Sequence, residues 1–274
     1  MNGVFVFDPI GVALVALLVA MYARAVTVLR WRGYQVPTGQ QAFWYGGTAL
    51  IAVALLGPPD ALSDDLLSAH MAQHLLLADI AAPLLLAGVR TPVLMFLLPR
   101  PLLVPLARTR WLRSLFRWLR RPLVAVPIWI ATLYIWHFRF AFQGALEHPV
   151  VHALQHQAFV FTSILAWWSV VDPKHRRVGG ELWKIGHIIG MRTAGMFLGM
   201  AFLLMRTQAY PWYGDRASLH GLSVIRDQEY GGGLMFLTDL LVMFFALGFF
   251  FWRAASDNDR RETTEQAATV ASSP

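Results

Sequence analysis

Seven apolar stretches, each about 17 to 25 residues long, occupy most of this 274-residue chain, and a lipid hydrocarbon core requires helices of that length. They lie near residues 9–29, 42–61, 65–88, 122–141, 148–171, 185–206 and 232–252. A backbone surrounded by lipid must satisfy its own polar groups, so such stretches become helices. The expected fold is therefore all-α, a polytopic membrane protein whose seven transmembrane helices fill residues 1–253. Composition agrees, because 57% of residues are hydrophobic, only 14% are charged and the mean hydropathy is +0.49, which leaves no room for a large soluble domain.

The segments between the spans carry the charge. From Arg100 to Arg121 the chain is too basic to cross a bilayer, and Arg108, Arg110, Arg113, Arg117, Arg120 and Arg121 alternate with Leu112, Leu115, Phe116, Trp118 and Leu119. That pattern predicts one basic interfacial helix. Residues 254–274 are polar and small, and read as a disordered cytoplasmic tail. The first span is expected to be retained, since Met1 to Asp8 holds no basic residue of the kind that opens a signal peptide. Counting Lys and Arg in alternate segments, each with the adjoining span ends, gives 18 on one side and 4 on the other, with Arg192 deep inside the sixth span. The bias predicts the N-terminus outside and the C-terminus in the cytoplasm of a bacterial plasma membrane. A net charge of +7 placed beside apolar spans points to anionic membrane lipids as partners and away from nucleic acid.

Six of the nine histidines fall within or at the mouth of three of these apolar stretches, the third, fourth and fifth: His70, His74, His137, His148, His152 and His156. Spacing of four returns a helical side chain to nearly the same face roughly 6 Å further along. With a rise of about 1.5 Å per residue, His70 and His74 lie roughly 7 and 13 Å below the outer surface, His152 and His156 roughly 6 and 12 Å, and His137 roughly 5 Å. The two pairs match in level, and ionisable groups inside a bilayer mark function. One ion cannot take His148, His152 and His156 together, because the first and last are separated by roughly 12 Å of rise while a nitrogen sits about 2 Å from its metal. The simplest metal site is His70, His74, His152 and His156, with His137 and His148 at its mouth or behind its ligands. At the end of a span beside Trp136, His137 also suits interfacial hydrogen bonding.

Copper, zinc and iron all accept imidazole. Cysteine is absent, so soft-metal chemistry falls to His and Met. Met196 and Met200, four apart on the outer half of the sixth span, could add thioethers that favour Cu(I), although Met also fills gaps in apolar helices. Three charges lie deep within the spans. Asp79 and Arg192 both fall about 21 Å down and are expected to form a structural ion pair. Asp239 falls at about 10 Å, level with the histidines, where it could orient an imidazole.

Several separated motifs carry a resemblance. His70-Met71-Ala72-Gln73-His74-Leu75-Leu76-Leu77, continued by Ala82-Pro83-Leu84-Leu85-Leu86-Ala87-Gly88, is similar to the signature of the CtaG-type cytochrome c oxidase assembly factors, seven-span proteins associated with caa-type oxidases. Trp136-His137, His148-Pro149, His152-Ala153-Leu154-Gln155-His156, Trp167-Trp168, Asp227-Gln228 and Gly231-Gly232 match in order and spacing, so the resemblance covers roughly residues 40 to 250. It implies a non-enzymatic role in maturing a haem–copper oxidase, with copper as cargo and an oxidase subunit or another assembly factor as partner. Departures from the family pattern fall at Arg90, Arg139 and Phe142-Gln143, on the outer mouth and an inner loop. Histidine spacing by itself also suits an integral-membrane di-iron hydroxylase or desaturase, or a haem-binding membrane protein. A desaturase would commonly carry a paired HxxHH motif, which the sequence lacks.

Overall fold

The computed structural model describes residues 8–171 and 182–272, and these residues are helical with short connections. Helix α1 (Pro9–Trp31) opens on Asp8, whose carboxylate accepts hydrogen bonds from the Ile10 and Gly11 amides, with Pro9 as a ready first-turn residue. Helices α2 (Thr38–Leu56) and α3 (Pro58–Leu62) follow, divided at Gly57. The next apolar stretch is a compound element: α4 (Leu67–His74), a π-helical segment (Leu75–Ala81) and α5 (Ala82–Gly88). Short helices α6 (Val93–Phe96), α7 (Arg100–Arg108) and α8 (Arg110–Leu119) lead to α9 (Pro122–His137), α10 (Arg139–Glu147) and α11 (Pro149–Val171). Helices α12 (Leu182–Leu204) and α13 (Val224–Ser272) complete the chain.

Five of these elements are long and apolar enough to cross a membrane: Pro9–Trp31, Thr38–Leu62, Leu67–Gly88, Trp183–Leu204 and Val224–Trp252. The expected fourth span, 122–141, differs, because α9 ends at His137 and α10 leaves it at 70°; taken together the bent pair makes a sixth. Phe138, with extended backbone, sits at the break. The fifth expected span forms one 23-residue helix, α11, whose apolarity is diluted by His152, Gln155, His156 and Gln157. The basic segment Arg100–Arg121 forms two helices, broken at Thr109, rather than the single interfacial helix expected. Helix α13 continues to Ser272, through the stretch read from composition as a disordered tail.

Burial ranks the helices. In Leu67–Gly88, 61% of the most apolar window is buried, against 17% in both α1 and α13, so the compound α4–π–α5 element is the central post of the bundle. Phe244, Phe245 and Trp252 of α13 are exposed, as side chains that meet lipid should be. Two close approaches fix the post and its neighbours. A Cβ on Gly88 would come within 2.7 to 2.9 Å of Trp44, so α2 and α5 touch backbone to backbone, and the Tyr22 hydroxyl and the Gln40 amide both donate to the Gly88 carbonyl. A Cβ on Gly232 would stand 2.6 Å from the Gly199 oxygen and the Leu203 nitrogen, which seals α12 against α13.

Candidate functional site

Helix α4 starts with its first amides buried, and a charge borne by another helix receives them. Asp227 of α13, wholly buried, accepts from the Leu67 amide at 2.6 Å, the Ser68 amide at 3.1 Å and the Ser68 hydroxyl at 2.5 Å. A carboxylate at a helix N-terminus satisfies donors that have no intrahelical partner and meets the positive end of the helix dipole. The neighbouring Gln228 accepts from the Ala209 amide and donates to the Met205 and Thr207 carbonyls, tying down the segment between α12 and α13. Gly231 lets α13 lie against Met71 and Ser68. Asp227-Gln228 and Gly231 thus set the start of the helix that presents His70 and His74. Their role is invisible to a scan for metal ligands, although their recurrence as a motif marks them.

The structure brings His70, His74, His152 and His156 together. Ring centroids are 4.4 Å apart for His70–His74, 4.3 Å for His152–His156, 4.9 Å for His70–His152, 5.0 Å for His74–His156 and 6.4 Å for His74–His152. Phe142 lies 4.8 Å from His70, and Phe159 lies 4.8 Å from His74. Both nitrogens of His74, and Nε2 of His152 and His156, are buried without a hydrogen-bond partner, and the buried nitrogens of His70 have only the Gln155 amide beside them. That is unusual, because buried polar groups are generally paired and an orphan requires an explanation. His187, on α12, shows the ordinary arrangement: its Nε2 lies 2.9 Å from the Ala166 carbonyl. As the rings stand, no three His, Cys, Asp or Glu side chains among the described residues converge on one ion. Their spacing is nevertheless of the right scale, since a nitrogen about 2 Å from a tetrahedral ion places neighbouring ring centres roughly 5 Å apart.

The other singled-out residues divide. His137 ends α9 with Nδ1 2.7 Å from the Leu133 carbonyl and Nε2 buried and unpartnered. Its own carbonyl accepts from the Tyr210 hydroxyl at 2.7 Å, and Tyr210 stacks on Phe142 with centroids 3.9 Å apart. Burial holds the Tyr210 and Tyr213 hydroxyls well above the usual tyrosine range, so both remain neutral donors, Tyr213 to the Ser63 carbonyl. His148 is exposed at the junction of α10 and α11, away from the four. Met200 is exposed and Met196 half-buried; the methionines near the histidines are Met71 and Met235. Gln73 turns toward α2 and α3, donating to the Ala54 carbonyl and Asp60. His175 lies outside the described residues.

Beneath the four rings lies a buried charge centre. Arg192, fully buried, donates through Nη1 to Asp79 at 2.5 Å and to Asp239 at 2.7 Å, with its guanidinium 4.8 Å from the Trp129 ring and 5.7 Å from the Trp167 ring. Asp239 therefore partners Arg192 and not an imidazole. The depth of about 10 Å assumed a helix beginning at residue 232; measured from the observed start at Val224, Asp239 lies about 22 Å along, level with Asp79 and Arg192. The π segment supplies the other alignment. Five residues along an α-helix turn about 140° away, whereas i→i+5 bonding brings residues i and i+5 to one face, and His74 and Asp79 line one cavity. The Ser163 hydroxyl donates to the Ala78 carbonyl within that widened turn.

The family described as cytochrome c oxidase caa3 assembly factor, CtaG, matches residues 20–257, and the chain belongs to it. Two uncharacterised mycobacterial proteins, from Mycobacterium bovis and Mycobacterium tuberculosis, are each 28% identical to it over 248 residues. The match covers 85% of this chain but 37% of each relative, so the chain spans little more than a third of their length. No solved structure matches it.

Proposed function

We propose that this chain assists the copper loading of a haem–copper cytochrome c oxidase by holding a copper ion transiently at His70, His74, His152 and His156. The family supports oxidase assembly. The observation that carries the copper reading is the set of buried imidazole nitrogens left without partners on two facing helices. Imidazole rotation about the Cβ–Cγ bond is broad, so small ring turns suffice to aim these nitrogens at one cation. Copper is cargo here, and the role is that of a non-enzymatic chaperone. Tyr210 and Phe142 cover the cluster, and the partner, an oxidase subunit or a further assembly factor, would act from that side.

In the same reading the chain crosses a bacterial plasma membrane seven times, with α11 as a span whose polar half faces inward and the bent α9–α10 pair as another. The N-terminus is outside, and the cluster lies toward the outer surface from which copper arrives. Two experiments test this. Changing His74 and His156 to Ala should abolish copper retention by the purified, reduced protein and lower oxidase activity in cells, with the protein still in the membrane; unchanged copper content would refute the site. A reporter fused after Arg253 should be active in the cytoplasm only, and activity outside would reverse the orientation.

A further inference from the structure

A cavity of about 30 Å³ lies between the four histidines and the Arg192 centre, larger than the 10–15 Å³ or so that a single water needs. Its walls include His74, His137, Met71, Met235, Asp79 and Asp239. Three observations concern what belongs in it. The first is charge: two carboxylates meet one guanidinium through a single nitrogen, so with both ionised the centre carries a net charge of −1 deep in an apolar bundle. An unbalanced buried charge is costly, and one proton or one monovalent cation would cancel it. The second is donor type. Met71 and Met235 are 2% and 4% exposed, and thioether together with imidazole is the set that soft Cu(I) prefers. The third is that His74, 7% exposed, and His137, 9% exposed, both line this cavity and both carry ring nitrogens without partners.

We propose that the cavity is an inner station for Cu(I), bounded by Met71, Met235, His74 and His137 and charge-matched by Asp79, Arg192 and Asp239. The inference rests on the reading of the four outer histidines as a copper site and extends it inward. His74 belongs to both places and has two free nitrogens, so it is the residue through which an ion passes from one to the other. The inner station explains why the buried charge centre holds one carboxylate more than a structural ion pair requires. It also gives His137 a function apart from helix termination.

The test uses the full chain in detergent, titrated anaerobically with Cu(I) against a chromophoric chelator and measured by X-ray absorption at the copper edge. The wild type should bind two equivalents and show sulfur scattering. Met71→Leu with Met235→Leu, a change that nearly conserves volume, should bind one equivalent with no sulfur signal. His152→Ala with His156→Ala should lose the sulfur-free equivalent and keep the sulfur-ligated one. Asp239→Asn should weaken the sulfur-ligated equivalent by about tenfold or more and leave the other unchanged, and equal affinity there would refute the charge argument. A sulfur signal absent from the wild type, or surviving the two leucines, would overturn the inner station. One sulfur-free equivalent lost on changing His152 and His156 would overturn it while leaving the outer site standing. No copper bound at all would overturn both.

Discussion

Replacing Arg192 with Met removes the cation that partners two buried carboxylates, and the cost can be worked from their positions. Asp79 and Asp239 accept from the same nitrogen at 2.5 and 2.7 Å, so the accepting oxygens lie no more than about 5 Å apart. At an effective dielectric of 20, like charges at that separation repel by roughly 3 kcal/mol. Removing one partner from a buried ion pair costs about 3 to 5 kcal/mol in general, and protonation of one carboxylate keeps the combined loss near the upper part of that range. For a chain of this size each kcal/mol lowers the melting temperature by about 2 to 4 °C, so Arg192→Met should melt roughly 8 to 20 °C below the wild type. Intrinsic tryptophan fluorescence in detergent reads this directly, because Trp129 and Trp167 flank the guanidinium. Adding Asp79→Asn and Asp239→Asn to the same variant should restore most of the loss, since the penalty comes from uncompensated charge more than from lost contact. A single variant that melts with the wild type, or a triple variant no more stable than the single one, would refute the reasoning.

Two further changes probe the scaffold. Asp227→Ala leaves the Leu67 and Ser68 amides at the head of α4 unsatisfied, at about 1 to 3 kcal/mol for each buried donor, and should speed hydrogen exchange at those two amides; unchanged exchange would show that the cap is dispensable. Gly232→Ala forces α12 and α13 apart where their backbones touch, with an expected loss of about 1 to 3 kcal/mol in thermal unfolding, and an unaltered melting temperature would show that the interface yields freely.

Helix positions were legible from apolar runs, because a bilayer-length stretch has few ways to satisfy its backbone. The approach of His70 and His74 to His152 and His156 was legible for a related reason: four-residue spacing and a constant rise place both pairs at one level. The same rise set Asp79 and Arg192 on a level, and they meet. Asp239 was misplaced because Val224 to Gly231 holds Arg226, Asp227 and Glu229 and does not look like a span, yet it is the first part of α13. The break at Phe138 was also hidden, since the stretch from Pro122 to Ala141 is predominantly apolar, its basic exceptions His137 and Arg139 lie near its end, and no Gly or Pro stands at the break. Leu75 to Ala81 contains neither Gly nor Pro, so the one local signal of the π segment is Pro83 just beyond it, which cannot donate to the Asp79 carbonyl and interrupts the ladder there.

That segment would make silent a deletion that is ruinous in an ordinary helix. A π turn is an α turn that has absorbed one extra residue, so deleting a single residue between Leu75 and Ala78 would let the hydrogen bonds revert to the ordinary ladder without a gap. Asp79 would then stand four residues from His74, about 40° away on the same face, and everything beyond would keep its orientation. The same stretch forced into an α ladder at its full length would instead turn Asp79 about 140° from His74 and away from Arg192, while its leucines still met apolar neighbours. One inserted residue, in other words, acts as the angular setting that keeps an imidazole and a carboxylate in phase along a single helix.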